Sequence, residues 1–149
     1  MPRLRLDAFL PYRLSVADRV VSQIVERAYA RHELSPPQWR VIAVLGEADA
    51  LSQREIVDRT RMDKLTISRA ARALETRRLV LRRDDASDKR TLRLSLSASG
   101  RRIYDAVIPA VLDVERRIAR QLGRGEREAL DDLLRKVEAA ALACADGVK

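Results

Sequence analysis

The spacing of apolar residues changes once along the chain, and that change limits the possible folds more than any other feature. Over residues 67–74 the interval is helical: Ile67, Ala70, Ala71 and Leu74 fall within about 60° of one direction at about 100° per residue. From Leu79 it drops to two, with LVL, a polar turn and then TLRLSLS, where Leu92, Leu94 and Leu96 alternate with Arg93 and Ser95. A two-stranded hairpin directly behind a helix is therefore expected. The 46% apolar content is almost wholly aliphatic, with 3% aromatic residues, which favours packed helices over a β-sandwich for the rest.

Helix starts are marked by caps. Ser35 with Gln38, and Ser52 with Glu55, have capping-box spacing, and Pro36 suits a first helical position because its φ is preset. RTRMD interrupts the helix begun at Ser52, and Asp63 can cap the next one through about residue 77. Upstream, Leu14, Ala17, Val21, Ile24 and Ala28 form one stripe of a long amphipathic helix. Downstream, Ser97 can cap a helix carrying Ile103, Val107, Val111, Val114 and Ile118, kinked at Pro109. GRGE breaks it, and Leu130, Leu133, Leu134, Val137 and Ala141 form the stripe of a last helix. The expected fold is mainly α with a small β-hairpin, one domain over 1–149. Helices this long and apolar at both ends predict packing against a second copy, hence a homodimer.

The formal charge of +8 is unevenly placed. Residues 1–50 hold 7 bases and 6 acids, residues 51–93 hold 13 and 7, and residues 94–149 hold 10 and 9. A middle block that concentrates positive charge, without a strongly apolar face, fits a nucleic-acid partner better than a membrane. No apolar run approaches the roughly 20 residues needed to cross a bilayer, and the N-terminal residues lack the apolar run of a secretory signal. The single cysteine, Cys144, cannot form an internal bridge. A soluble, cytoplasmic protein is expected, with Cys144 as a packing residue.

On the helix after Asp63, the face opposite Ile67 presents Leu65, Thr66, Arg69, Arg72 and Thr76, with Lys64 and Ser68 at its flanks. Arginines there can donate two hydrogen bonds to guanine edges, small hydroxyls can reach bases or phosphates, and an outward Leu can touch a thymine methyl. The short helix, the tight link and this helix have helix-turn-helix spacing, and the hairpin behind them makes the unit winged. A wing beside a groove-inserted helix overlies the narrow, strongly negative minor groove, which favours Arg90, with Lys89 on phosphate. Asp88 is placed to hold a basic side chain in one orientation.

The segment LSQREIVDRTRMDKLTISRAARALETRRLVLRRDDASDKRTLRLSLSASG, residues 51–100, resembles the MarR family of winged-helix transcription regulators. Leu74, Glu75, Leu79 and Val80 match its "Leu-Glu-x-x-x-Leu-Val" exit. Asp88 and Arg90 match its "Asp-x-Arg" wing, and Leu96, Ser97 and Gly100 match its "Leu-Thr/Ser-x-x-Gly" helix start. Arg78 departs from the pattern, which usually has Gly there and so a relaxed helix terminus. The resemblance implies a winged helix-turn-helix over 36–96, dimerisation helices over 7–33 and 97–145, and a homodimeric repressor on double-stranded DNA. It also implies release by a small-molecule effector, and FLPYRLSVADRV with WRVIAVL is similar to members that answer to aromatic acids or their CoA thioesters.

An effector site between the dimer helices and the reading head would draw on Tyr12, Tyr29, His32, Trp39, Arg40 and Tyr104, since aromatic faces plus a cation suit an anionic aromatic ligand. Each of these could instead be an ordinary core or surface residue. With one His and one Cys, no metal site is expected, and no cofactor either. No catalytic grouping stands out, and adjacent acids such as Asp131 and Asp132 diverge by about 100° on a helix. Two other readings fit the same sequence: a nucleoid-type protein that coats DNA without sequence preference, and an enzyme with an unrecognised site.

Overall fold

In the computed structural model, residues 1, 3–88 and 90–147 are described. The elements run α1 (Leu10–Tyr29), α2 (Pro36–Glu47), β1 (Leu51–Ser52), α3 (Gln53–Thr60), α4 (Lys64–Thr76), β2 (Val80–Asp84), β3 (Leu92–Leu96), α5 (Ala98–Ala119) and α6 (Glu126–Gly147), with 3-10 turns at Leu6–Ala8 and Ala30–His32. The chain divides into two compact units, Met1–Val111 and Leu112–Lys149. Among the described residues no helix is long and apolar enough to cross a membrane.

The three caps form as their spacing predicts. Gln38 N donates to Ser35 Oγ and Ser35 N to Gln38 Oε1, while Glu55 N donates to Ser52 Oγ at 3.2 Å and Ser52 N to Glu55 Oε2 at 2.7 Å. Thr66 N donates to Asp63 Oδ1 at 2.8 Å. Each cap supplies partners for amide groups that have none inside the helix. Ser97 does the same for α5 by accepting from Gly100 N at 3.0 Å.

The hairpin has a third strand that apolar spacing did not predict. Antiparallel β2 and β3 pair Val80 with Leu96 and Arg82 with Leu94, and β1 adds to the other edge of β3 through Leu51 with Leu94 and Ser52 with Arg93. Two residues are too few to carry a period, and their partners lie some forty positions away. The core of the first unit gathers Val41, Ile42 and Leu45 of α2, Ile56 of α3, Ile67, Ala71 and Leu74 of α4, Leu94 of β3 and Val107 of α5. α5 is one continuous helix through Pro109.

The apolar stripes of the terminal helices are not covered within their own units. On α1, Leu10, Tyr12, Val16, Val20, Val21 and Ile24 are exposed, although Tyr29 at its end is buried. On α6, Leu130, Leu133, Leu134 and Leu142 are exposed. Cys144, expected to pack, is exposed too, because it lies on that uncovered helix.

α4 ends in a left-handed turn at Arg78, with φ 55°; Arg78 N donates to Glu75 O at 2.8 Å and Leu79 N to Leu74 O at 2.9 Å. Arg therefore adopts the backbone conformation that glycine enters without steric penalty. Ser97 Oγ donates to the Arg78 carbonyl at 2.7 Å, which needs no particular side chain. Arg78→Gly is expected to stabilise the fold by about 0.5–1 kcal/mol, read as a higher urea midpoint. A lower midpoint would assign the Arg78 side chain a contact that outweighs the strain.

Candidate nucleic-acid interface

The residues expected to meet nucleic acid lie on α3, α4 and the β2–β3 wing of the first unit. α3 closes with Thr60 Oγ1 donating to Ile56 O at 2.8 Å and Arg61 left-handed at φ 55°, so that three residues separate it from α4. That sharp exit turns α4 so that Ile67, Ala70, Ala71 and Leu74 are buried. The opposite face is solvent-facing: Lys64, Arg69 and Arg72 are exposed, and Leu65 is 57% exposed. Thr66 and Ser68 are half-buried. The Thr66 hydroxyl donates to Asp63 Oδ2 at 2.6 Å, which leaves it free only to accept. Hydrogen bonds from the Thr66 hydroxyl and amide hold the Asp63 carboxyl below its ordinary pKa, so the cap stays ionised.

The wing turn is organised by two aspartates. Asp85 Oδ1 accepts from Ser87 N at 2.8 Å, Ser87 Oγ at 2.6 Å and Asp88 N at 3.3 Å; with the Ser87 hydrogen bonds as the main cause, its pKa is lowered to about 2. Asp88 Oδ1 accepts from Arg90 N at 3.0 Å and Oδ2 from Thr91 Oγ1 at 3.0 Å. The expectation that Asp88 orients a basic side chain is corrected here for Arg90. The carboxylate lies over the backbone amide two residues on, the local geometry that short acidic side chains favour in turns. It fixes the backbone from which the exposed Arg90 projects. Lys89 lies outside the described residues.

Two ion-pair systems hold this surface together, and spacing gave no sign of either. Arg82 Nε and Nη2 donate to the two oxygens of Glu75 at 2.8 and 2.9 Å, tying the wing to α4. The guanidinium lowers the Glu75 pKa, and the carboxylate raises that of Arg82. Arg93 Nη1 donates to Glu55 Oε2 at 2.6 Å and Arg93 Nε pairs with Asp85 Oδ2 at 2.8 Å, tying β3 to α3 and to the turn. Glu55 is held below its ordinary pKa first by the hydrogen bond from Ser52 N, then by the Ser52 hydroxyl, with Arg93 adding to both.

Three of the candidate effector residues meet. Tyr29 stacks on Trp39 at 5.3 Å between ring centres, and Trp39 on Tyr104 at 6.4 Å. Tyr29 and Trp39 are buried, and burial raises the Tyr29 pKa. Arg101 was not foreseen: its guanidinium sits 5.2 Å from the Tyr104 ring centre and donates to Gly46 O at 3.0 Å. Its place three residues before Tyr104 on a helix was the available signal. His32 is half-buried on the turn after α1, where Arg31 Nε donates to its Nε2 at 3.2 Å. Arg40 is exposed on α2, and Tyr12 stands apart on the first turns of α1. Among the described residues, no three His, Cys, Asp or Glu side chains are grouped to hold a metal ion.

Residues 32–91 match the profile described as MarR family. The HTH-type transcriptional repressor NicR of Pseudomonas putida is 30% identical over 128 residues, covering 78% of this chain and 81% of that protein. A probable transcriptional regulator from Pseudomonas aeruginosa superposes with a TM-score of 0.76 at 29% identity, covering 89% of this chain and 99% of that one. BpsR of Bordetella bronchiseptica, whose DNA binding is regulated by 6-hydroxynicotinic acid, superposes with a TM-score of 0.81 at 23% identity, over 92% of this chain and 98% of that one. At that identity the likeness speaks for the fold.

Proposed function

Because the chain belongs to the MarR family and is thus a DNA-binding transcription regulator and not an enzyme, we propose that it acts as a homodimeric repressor of a pseudo-palindromic operator. The supporting observation is the composition of α4: one face is wholly core, and the other offers Lys64, Leu65, Arg69 and Arg72 to solvent. In this reading Arg69 and Arg72 contact base edges in the major groove, Leu65 meets a thymine methyl, and Ser68 and Thr66 serve at the flanks. Arg90 enters the adjacent minor groove and Lys89 neutralises a phosphate, while Asp88 holds the turn. The uncovered stripes of α1 and α6 support pairing through the regions 7–33 and 97–145, which would place two copies of the 36–96 reading unit about one helical turn of DNA apart.

The effector proposed is an anionic aromatic acid or its CoA thioester. The stack of Tyr29, Trp39 and Tyr104 beside Arg101 and Arg40 supplies aromatic faces and cations of the right kind, and Tyr12 and His32 complete the candidate set. The 6-hydroxynicotinic acid response of BpsR is of this chemical class. Screening such acids for release of bound operator tests the assignment.

Titrating the fragment upstream of the protein's own gene against a scrambled fragment, at about 0.15 M salt, tests the central reading; specific sites commonly win by about 10³ or more. Equal affinities would instead describe a coat protein without sequence preference. Arg69→Ala is expected to cost about 1–3 kcal/mol on the operator and less on random DNA. A uniform loss on both would move Arg69 to a phosphate.

A further inference from the structure

The wing is gripped from both faces, by acids that a polyanion-binding surface would do better without on charge alone. Successive strand residues point to opposite faces, so Arg82, paired across the sheet with Leu94, lies on one side and Arg93 on the other. Glu75 of α4 takes Arg82, and Glu55 of α3 together with Asp85 of the turn takes Arg93. Two of the wing's arginines are thereby neutralised, whereas Arg83 and Arg90 stay exposed. The Arg93 side chain is 35% exposed and that of Glu55 45%, so their pair adds little to the stability of the fold as a whole. Its distinctive property is reach. Glu55 also closes the capping box of α3, and Asp85 also anchors the turn that carries Arg90, so one guanidinium links the helix-turn-helix frame to the wing tip.

We propose that Glu55, Arg93 and Asp85 form a positioning bridge that sets where the wing, and with it Arg90, meets DNA relative to α4. The proposal rests on the DNA-binding reading above. It makes Glu55 favour DNA binding despite its negative charge. The discriminating variant is Glu55→Gln, whose amide oxygen can still accept from Ser52 N and so keeps the helix cap. Field effects alone predict tighter binding, since one negative charge is removed from a surface that meets phosphates. A positioning role predicts the reverse, weakening by about fivefold, the upper end of what an exposed ion pair transmits.

The measurement is operator affinity of the full-length protein by fluorescence anisotropy, for Glu55→Gln alone and in an Arg90→Ala background. With Arg90 absent the wing's placement matters less, so there Glu55→Gln should weaken binding markedly less than in the otherwise native protein. Unchanged or tighter binding in the otherwise native protein overturns the proposal. So does equal weakening in both backgrounds, which would mean general loosening. If Glu55→Gln melts below the assay temperature, Asp85→Asn carries the same test, because its amide oxygen can still accept from Ser87 N while the pair with Arg93 is lost. A native protein that fails to separate operator from scrambled DNA removes the DNA-binding reading itself, and the proposal with it.

Discussion

Gly100→Ala is expected to destabilise the protein by about 3 kcal/mol, the upper end of what overpacking costs. A Cβ on Gly100 would stand 2.0 Å from the Leu79 carbonyl oxygen and 3.0 Å from its carbon, and both are backbone. A flexible side chain could swing aside, but this carbonyl cannot. It accepts from Ser97 N at 3.0 Å, and Leu79 N in turn donates to Leu74 O, so the same residue closes α4 and opens the connection to α5. The added methyl must therefore push the first turn of α5 away from the start of β2. That movement strains the Ser97 hydroxyl, which donates to Arg78 O and accepts from Gly100 N. Urea unfolding checks the expectation, with the midpoint falling and the slope unchanged. A cost below about 1 kcal/mol would mean that α5 can shift as a body without losing these bonds.

Leu65→Asp is expected to weaken operator binding by more than about a hundredfold while leaving the helix intact. The site is 57% exposed, so little apolar burial is lost. It also lies in the first turn of α4, where the partial positive charge of the helix start favours a carboxylate, so thermal stability should hold or rise slightly. In the proposed complex the same carboxylate would face phosphates and base edges from the middle of the reading surface, beside Arg69 and Arg72. Two copies in a dimer would apply the penalty twice. Anisotropy gives the affinity and far-ultraviolet circular dichroism the helix content. Retained binding would show that Leu65 faces away from DNA; collapse of the helix signal would contradict the exposure on which the reading surface depends.

The caps and the hairpin were legible because they are local. Ser35 with Gln38, Ser52 with Glu55, and Asp63 ahead of Thr66 act over three residues, and the alternation of Leu92, Leu94 and Leu96 names its own buried face. Gly100 was legible through the family pattern, and the geometry supplies the reason: the Leu79 carbonyl approaches where a side chain would be. Arg78 was legible as a departure from that pattern, and the structure has it in the left-handed turn regardless. The charge of Asp88 suggested a side-chain cation, whereas its contact with Arg90 is through the backbone amide.

By itself the chain order determined the helices, the capped starts of α2, α3, α4 and α5, the buried stripe of α4, the wing and the cationic middle block, since each depends on residues a few positions apart. Only the tertiary structure decided which of the many acids meets which of the many arginines, that Leu51 joins the sheet beside Leu94, and that Tyr29, Trp39 and Tyr104 share one stack. The physical reason is that a guanidinium can satisfy any carboxylate within reach and an aromatic ring any apolar neighbour. Distance in the folded chain selects the partner, and that distance is set by packing rather than by local order.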